Sequence, residues 1–303
     1  MALRTGQKIF LGVGAAAAVA FCIALAVGLS DAFADRDQTA VAAVATAHVE
    51  PILGPRVFNG LGGDIAPDFG VTAAGAQPPA VALSVGGVLR VVENLDSLPR
   101  TRKVTIAASQ PDSFALDTDG TMLAVADGYL GVLDEHGVVA HSVPLAFDRM
   151  RLAPSTRQGF VYLFGGANGD FRLYRVVADG TLQVVLQSNE PIVAAADNGD
   201  DIYAATPTRL LQLKAGRPDI LFETPDDFAG PIRSLAVTND GMVIFSTDAK
   251  VYALLGPNAL SIVNNAGGTL RVRDGALYVL DPQRKLLFRL TPASGSLVKP
   301  AAA

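Results

Sequence analysis

Between Ile232 and Asn264 the chain alternates short apolar runs with turn residues. The runs are Arg233–Thr238, Met242–Thr247, Lys250–Leu255 and Ala259–Val263, divided by Asn239-Asp240-Gly241, Asp248-Ala249 and Gly256-Pro257-Asn258. Each run has strand length and each break has turn chemistry, so the stretch predicts four antiparallel strands in a meander. The same grammar returns along the chain. A glycine closes the turn between first and second runs at Gly120, Gly159, Gly199, Gly241 and Gly275, with successive gaps of 39, 40, 42 and 34 residues, and Gly75 opens the series.

A period near 40 with four strands per unit predicts a β-propeller, since helical repeats do not carry this strand pattern. Six units follow: Asp68–Ala107, Asp112–Leu145, Arg149–Gln187, Ile192–Glu223, Ile232–Val263 and Thr269–Val298. Second runs such as Met122–Ala126, Phe160–Phe164 and Met242–Phe245 are apolar at nearly every position, as middle strands packed on both faces require. First runs carry small residues (Ala115, Ala153, Ala194–Ala196, Ala236), which suits the crowded axis of a ring. The expected fold is all-β: a six-bladed propeller of four-stranded antiparallel blades over residues 68–299. Ring closure is left open between a last strand at Gly295–Lys299 and a strand borrowed from Val57-Phe58.

The N-terminal pattern differs. Arg4 and Lys8 precede an unbroken apolar or small-residue run, Ile9–Leu29, and Asp31, Asp35 and Asp37 follow it. That length and charge order predict a membrane-spanning signal anchor over 1–37, with the body on the outer, periplasmic side. Cleavage near Ala34 at Ala32-Phe33-Ala34, giving a secreted protein, is the competing reading. Asp37–Val49 is Ala-rich and reads as an extension of the helix. Residues 38–67 as a whole read as a linker, and 300–303 as a tail.

Ser234–Val243 (SLAVTNDGMV) and Phe114–Leu123 (FALDTDGTML) resemble the first two strands of NHL-type and gluconolactonase/regucalcin-type blades. The resemblance spans roughly residues 68–299 and concerns architecture. WD-type and quinone-cofactor propellers do not fit, because the chain has no Trp. Gluconolactonase-like propellers hold a divalent metal at the channel mouth with oxygen ligands, which suits calcium or magnesium. The resemblance therefore implies, as an alternative reading, a metal-dependent periplasmic lactonase whose ligands come from loops on one face. Asp127, Asn189 and Asp248 are the candidates, with Asp112, Asp148, Asp170, Glu190 and Asp281 nearby in the same loop class.

Composition narrows the chemistry. Half the chain is hydrophobic, 17% is charged and the net charge is −5, which argues against nucleic-acid binding. The single cysteine, Cys22, excludes an intrachain disulfide and Cys-based clusters. There is no G-x-S-x-G, Walker loop or H-E-x-x-H. Asp117-Thr118-Asp119-Gly120 reads as a turn; it lacks the later ligands of a calcium loop. Aligned at their turn glycines, the repeats place Asp112 and Arg233 at equivalent positions just before the first strand, and Arg151, Arg233 and Arg271 all lie at or near innermost strands. They predict a channel end that binds an anionic ligand or a partner carboxylate; the competing expectation pairs them with Asp148, Asp227 or Asp274. The loop Thr224–Pro231 carries Phe228 beside Asp227 and is a candidate partner contact. The primary expectation is thus a membrane-anchored, extracytoplasmic scaffold that needs no cofactor. Its expected partner is another protein or envelope component, which makes it a candidate accessory subunit of an envelope complex.

Overall fold

The computed structural model describes residues 43–45, 47–72, 80–95, 100–103, 111–117, 121–133, 139–147, 150–157, 160–177, 180–199, 201–214, 216–292 and 297–300. Six four-stranded antiparallel sheets follow one another as blades of a propeller. Blade 1 is Ile65–Val71, Val81–Val85, Val88–Glu93 and Arg100–Lys103; blade 2 is Ser113–Leu116, Met122–Ala126, Tyr129–Leu133 and Val139–Pro144. Blade 3 runs from Arg151–Pro154 through Phe160–Ala167 and Asp170–Val177 to Leu182–Ser188. Blade 4 comprises Ala194–Asp197, Ile202–Ala205, Arg209–Lys214 and Arg217–Glu223, and blade 5 Ser234–Val237, Val243–Ser246, Lys250–Leu255 and Asn258–Asn264. In each of these five the chain order is also the sheet order, as the meander pattern predicts.

Blade 6 breaks the rule. Thr269–Arg273, Ala276–Asp281 and Leu286–Pro292 supply three strands, and the fourth is Ala47–Leu53 from the other end of the chain. Neither Gly295–Lys299 nor Val57-Phe58 plays that part. The segment read as helix extension and linker instead forms this strand and then a short helix, α1, over Pro55–Leu61. Pro55 at the first helical position suits helix initiation, and Val57 and Phe58 belong to that helix. Pro51 is tolerated because the strand is the outer edge of its sheet, and a register shift lies between Pro51 and Leu53.

Apolar side chains collect between blades, as blades stacked face to face require. Among the described residues six buried clusters each join one neighbouring pair of blades. The cluster between blades 6 and 1 takes Leu53 from the borrowed strand and Phe58 from α1, each 1% exposed. Glu50 pairs with Arg289 at 2.5 Å and Lys285 donates to Asn59 Oδ1 at 2.6 Å, so the N-terminal segment is tied to blade 6 by charge as well as by burial.

Polar bridges lock the innermost strands to one another. Leu152 N donates to Ser113 Oγ at 2.9 Å, and Leu270 N to Ser234 Oγ at 3.0 Å, the same device joining blades 2 to 3 and 5 to 6. Buried Asp197 accepts from Ser155, Thr156 and Tyr162, which joins blades 3 and 4. Burial and the neighbouring Asp197 carboxylate push the Tyr162 phenol well above its ordinary pKa, so this bridge holds its proton across ordinary pH.

Among the described residues no helix is long and apolar enough to cross a membrane. The expected anchor, Ile9–Leu29, lies outside them.

Candidate functional site

The innermost strands begin at one face of the ring, and their polar first residues gather there. Ser113, Arg151, Ser234 and Thr269 each open an innermost strand, and Arg233 immediately precedes one. A cavity of about 320 Å³ opens at this mouth, lined among others by Arg151, Arg233, Asp248, Thr269, Asp281 and Gln283. Its volume lies at the lower end of what small-molecule sites usually offer.

Three carboxylates around the mouth are already engaged. Asp68, 2% exposed, accepts from Arg151 Nη2 and from Ser113 Oγ, both at 2.6 Å. Asp248 accepts from Arg233 Nε and Nη2 at 3.0–3.2 Å. Asp281, also 2% exposed, accepts from Arg284 Nη1 and N at 2.9 Å and from Gly267 N at 3.3 Å. Gly267 and Gly268 make this wall possible: a Cβ on them would collide with the carbonyl oxygens of Thr247 and Leu280. The Arg233–Asp248 pair is about half exposed, so water screens it and it adds little to stability.

Arg271 behaves differently. It is 7% exposed, donates from Nε to Phe69 O at 3.0 Å and from Nη1 to Leu270 O at 2.9 Å, and lies over the Phe69 ring. Arg273 likewise donates to Val71 O at 3.2 Å. Two arginines of blade 6 therefore reach carbonyls on the innermost strand of blade 1, across the seam where the ring closes. Burial lowers the Arg271 pKa to about 10, with nearby Asp68 opposing and Arg151 adding to the shift. It stays protonated at neutral pH.

The three arginines singled out in the sequence thus divide. Arg151 and Arg233 share the mouth cavity, while Arg271 lies in the channel wall against a smaller pocket it shares with Ala196, Asp197 and Ala236. Their acid partners are Asp68 and Asp248, not Asp227 or Asp274; Asp148 lies outside the described residues. Asp227 is exposed at the loop surface. Phe228 is half-buried: its ring packs on Phe222, Phe245 and Tyr252, with centroids 4.8–6.0 Å apart. Burial raises the Tyr252 phenol beneath it to about 12.

The metal candidates are not assembled. Asp127 and Asn189 are exposed in turns of blade 2 and after blade 3, and Asp127 adopts φ 52° before Gly128 as a tight turn requires. Asp170 is held by Arg172, which keeps its carboxyl below the usual range, and Glu190 is held by Arg209. Among the described residues no three His, Cys, Asp or Glu side chains lie close enough to hold a metal. Divalent cations need several free anionic oxygens, and Asp68, Asp248 and Asp281 each face a guanidinium that would repel the ion. Among the described residues, this lining does not fit calcium.

The sequence reading named Asp281 among the loop acids but missed Asp68 and Ser113. For Ser113 the available signal was a polar residue opening an otherwise apolar innermost strand; Asp68 sits inside its strand and carries no such signal.

No family model and no curated protein matches the sequence. Solved structures do match in shape. A gluconolactonase from Xanthomonas campestris is 15% identical with a TM-score of 0.56, over 84% of this chain and 99% of that one. This chain has the architecture of the gluconolactonase/regucalcin-like six-bladed propellers. The calcium-binding protein regucalcin from Agrobacterium tumefaciens matches at 13% identity and TM-score 0.51, over 75% of this chain and 92% of that one. Virginiamycin B lyase from Staphylococcus aureus matches at 10% and 0.54, over 81% and 99%. A lactonase, a lyase and a calcium-binding protein on one scaffold make the likeness one of fold, and function must be argued from the site.

Proposed function

We propose that the protein takes a small, oxygen-rich molecule, a lactone or its hydroxy acid, into the mouth of its central channel, and that it does so on the outer side of a membrane. The observation that carries this reading is the cavity of about 320 Å³ between Arg151 and Arg233, walled by hydrogen-bonding groups. The likeness to structures named as gluconolactonases supports a lactone-handling role over a protein scaffold. The run Ile9–Leu29 supports attachment to the membrane with the propeller outside. A partner protein or envelope component remains the second reading, supported by that anchor.

The full-length chain is to be screened for gluconolactone hydrolysis by pH-stat and for gluconolactone and gluconate binding by calorimetry, with and without added calcium. Saturable binding is expected, and Gln283→Trp, which fills the cavity from an exposed position, is expected to remove it. Binding indifferent to Gln283→Trp would place the site elsewhere.

A further inference from the structure

We propose that the mouth is an anion site, and that its ligand is a small hydroxylated carboxylate held between Arg151 and Arg233. The inference rests on the reading that the mouth is the small-molecule site, and it departs from the cation site that the fold's relatives suggest. The first argument is charge. Around the mouth and the wall behind it, the described guanidiniums of Arg151, Arg233, Arg271 and Arg284 stand among Asp68, Asp248 and Asp281, with Asp112 exposed just before the innermost strand of blade 2. Arg271 donates only to backbone carbonyls, and Asp68, the carboxylate that influences it, is hydrogen-bonded to Arg151. A buried cation without its own counter-charge is costly, and an anion entering nearby offsets that cost.

The second argument is unspent donors. A guanidinium has five N–H groups. Arg151 gives one Nη to Asp68, and Arg233 gives Nε and one Nη to Asp248. Both line the cavity and keep N–H groups for another acceptor, in the planar geometry that suits a carboxylate. The third is the remaining lining. Thr269 and Gln283 offer neutral hydrogen-bonding groups for hydroxyls, while Pro67 and Pro282 give apolar walls. A bare halide would leave those groups unused.

The test is calorimetry on the full-length chain with gluconate, glucose as its uncharged counterpart, inorganic phosphate, and calcium chloride. Gluconate is expected to bind and glucose not. Arg233→Gln, half exposed and tolerant of change, is expected to weaken gluconate about 10- to 100-fold without moving the melting temperature. Asp248→Asn, which releases the Arg233 fork, is expected to tighten it. Phosphate binding more tightly than gluconate and lost in Arg233→Gln would overturn the carboxylate assignment. Binding of neither anion, or calcium binding that Asp248→Asn abolishes, would overturn the anion site. The two readings separate cleanly. Ligand binding blocked by Gln283→Trp but indifferent to Arg233→Gln leaves the mouth as the site and removes the anion inference; indifference to both removes both.

Discussion

A chain that begins at Gly62 is expected to lose cooperative folding, whereas one that begins at Ala43 keeps it. The shorter chain lacks the outer strand of blade 6 and all of α1. With them go Leu53 and Phe58, both fully buried between blades 6 and 1, and the Glu50–Arg289 and Asn59–Lys285 contacts. Removing one buried Leu or Phe side chain costs about 3–5 kcal/mol. Two of them, with an exposed strand edge at Leu286–Pro292, approach the roughly 5–15 kcal/mol that holds a typical protein folded. Thermal melts followed by circular dichroism of the two chains check this. A sharp transition at the parent temperature in the chain from Gly62 would show that the ring closes without its N-terminal strand.

Asp68→Ala is expected to be the most destabilising single change at the mouth. Asp68 is the one carboxylate that faces both Arg151 and Ser113, and its charge offsets buried Arg271. Without it, one guanidinium and one hydroxyl lose their acceptor and another guanidinium loses its nearest compensation. Breaking a buried charge pair by removing one partner costs about 3–5 kcal/mol, and the partly exposed Arg151 puts this pair at the lower end. For a domain of this size that is a fall of roughly 10 °C in melting temperature. Asp68→Asn keeps the shape and loses the charge, so it separates the two contributions. If it melts with the parent and Asp68→Ala does not, hydrogen bonding and not charge holds this corner. If both melt with the parent, Asp68 is not part of the frame.

Much of the ring was legible in the sequence because blades are built from local contacts. The unit drawn as Ile232–Val263 contains all four strands of blade 5 to within a residue, since each strand pairs with its neighbour in sequence. Ring closure was not legible. Ala47–Leu53 pairs with Leu286–Pro292, more than two hundred residues away, and no local turn announces it. Its Ala-rich approach reads as helix, and Pro51 argues against a strand unless the strand is known to lie at an edge.

The mouth was half legible. Aligned repeats identified Arg151 and Arg233 because their positions recur, and both line the cavity. Their acid partners were not legible, because Asp68 and Arg151 sit in blades 1 and 3 and meet only through the curvature of the ring. Arg271 lies further along its innermost strand and serves the seam, binding a Phe69 carbonyl that only closure brings within reach. Spacing places a residue at the channel; it does not say which way the chain behind it needs the charge.

The most direct test of the account is a crystal structure of the chain from Ala43 grown with gluconate and calcium together. The expected result is gluconate density in the mouth, its carboxylate within hydrogen-bonding distance of Arg151 and Arg233. A calcium ion coordinated by Asp248 and Asp281, with the arginines turned away, would contradict it.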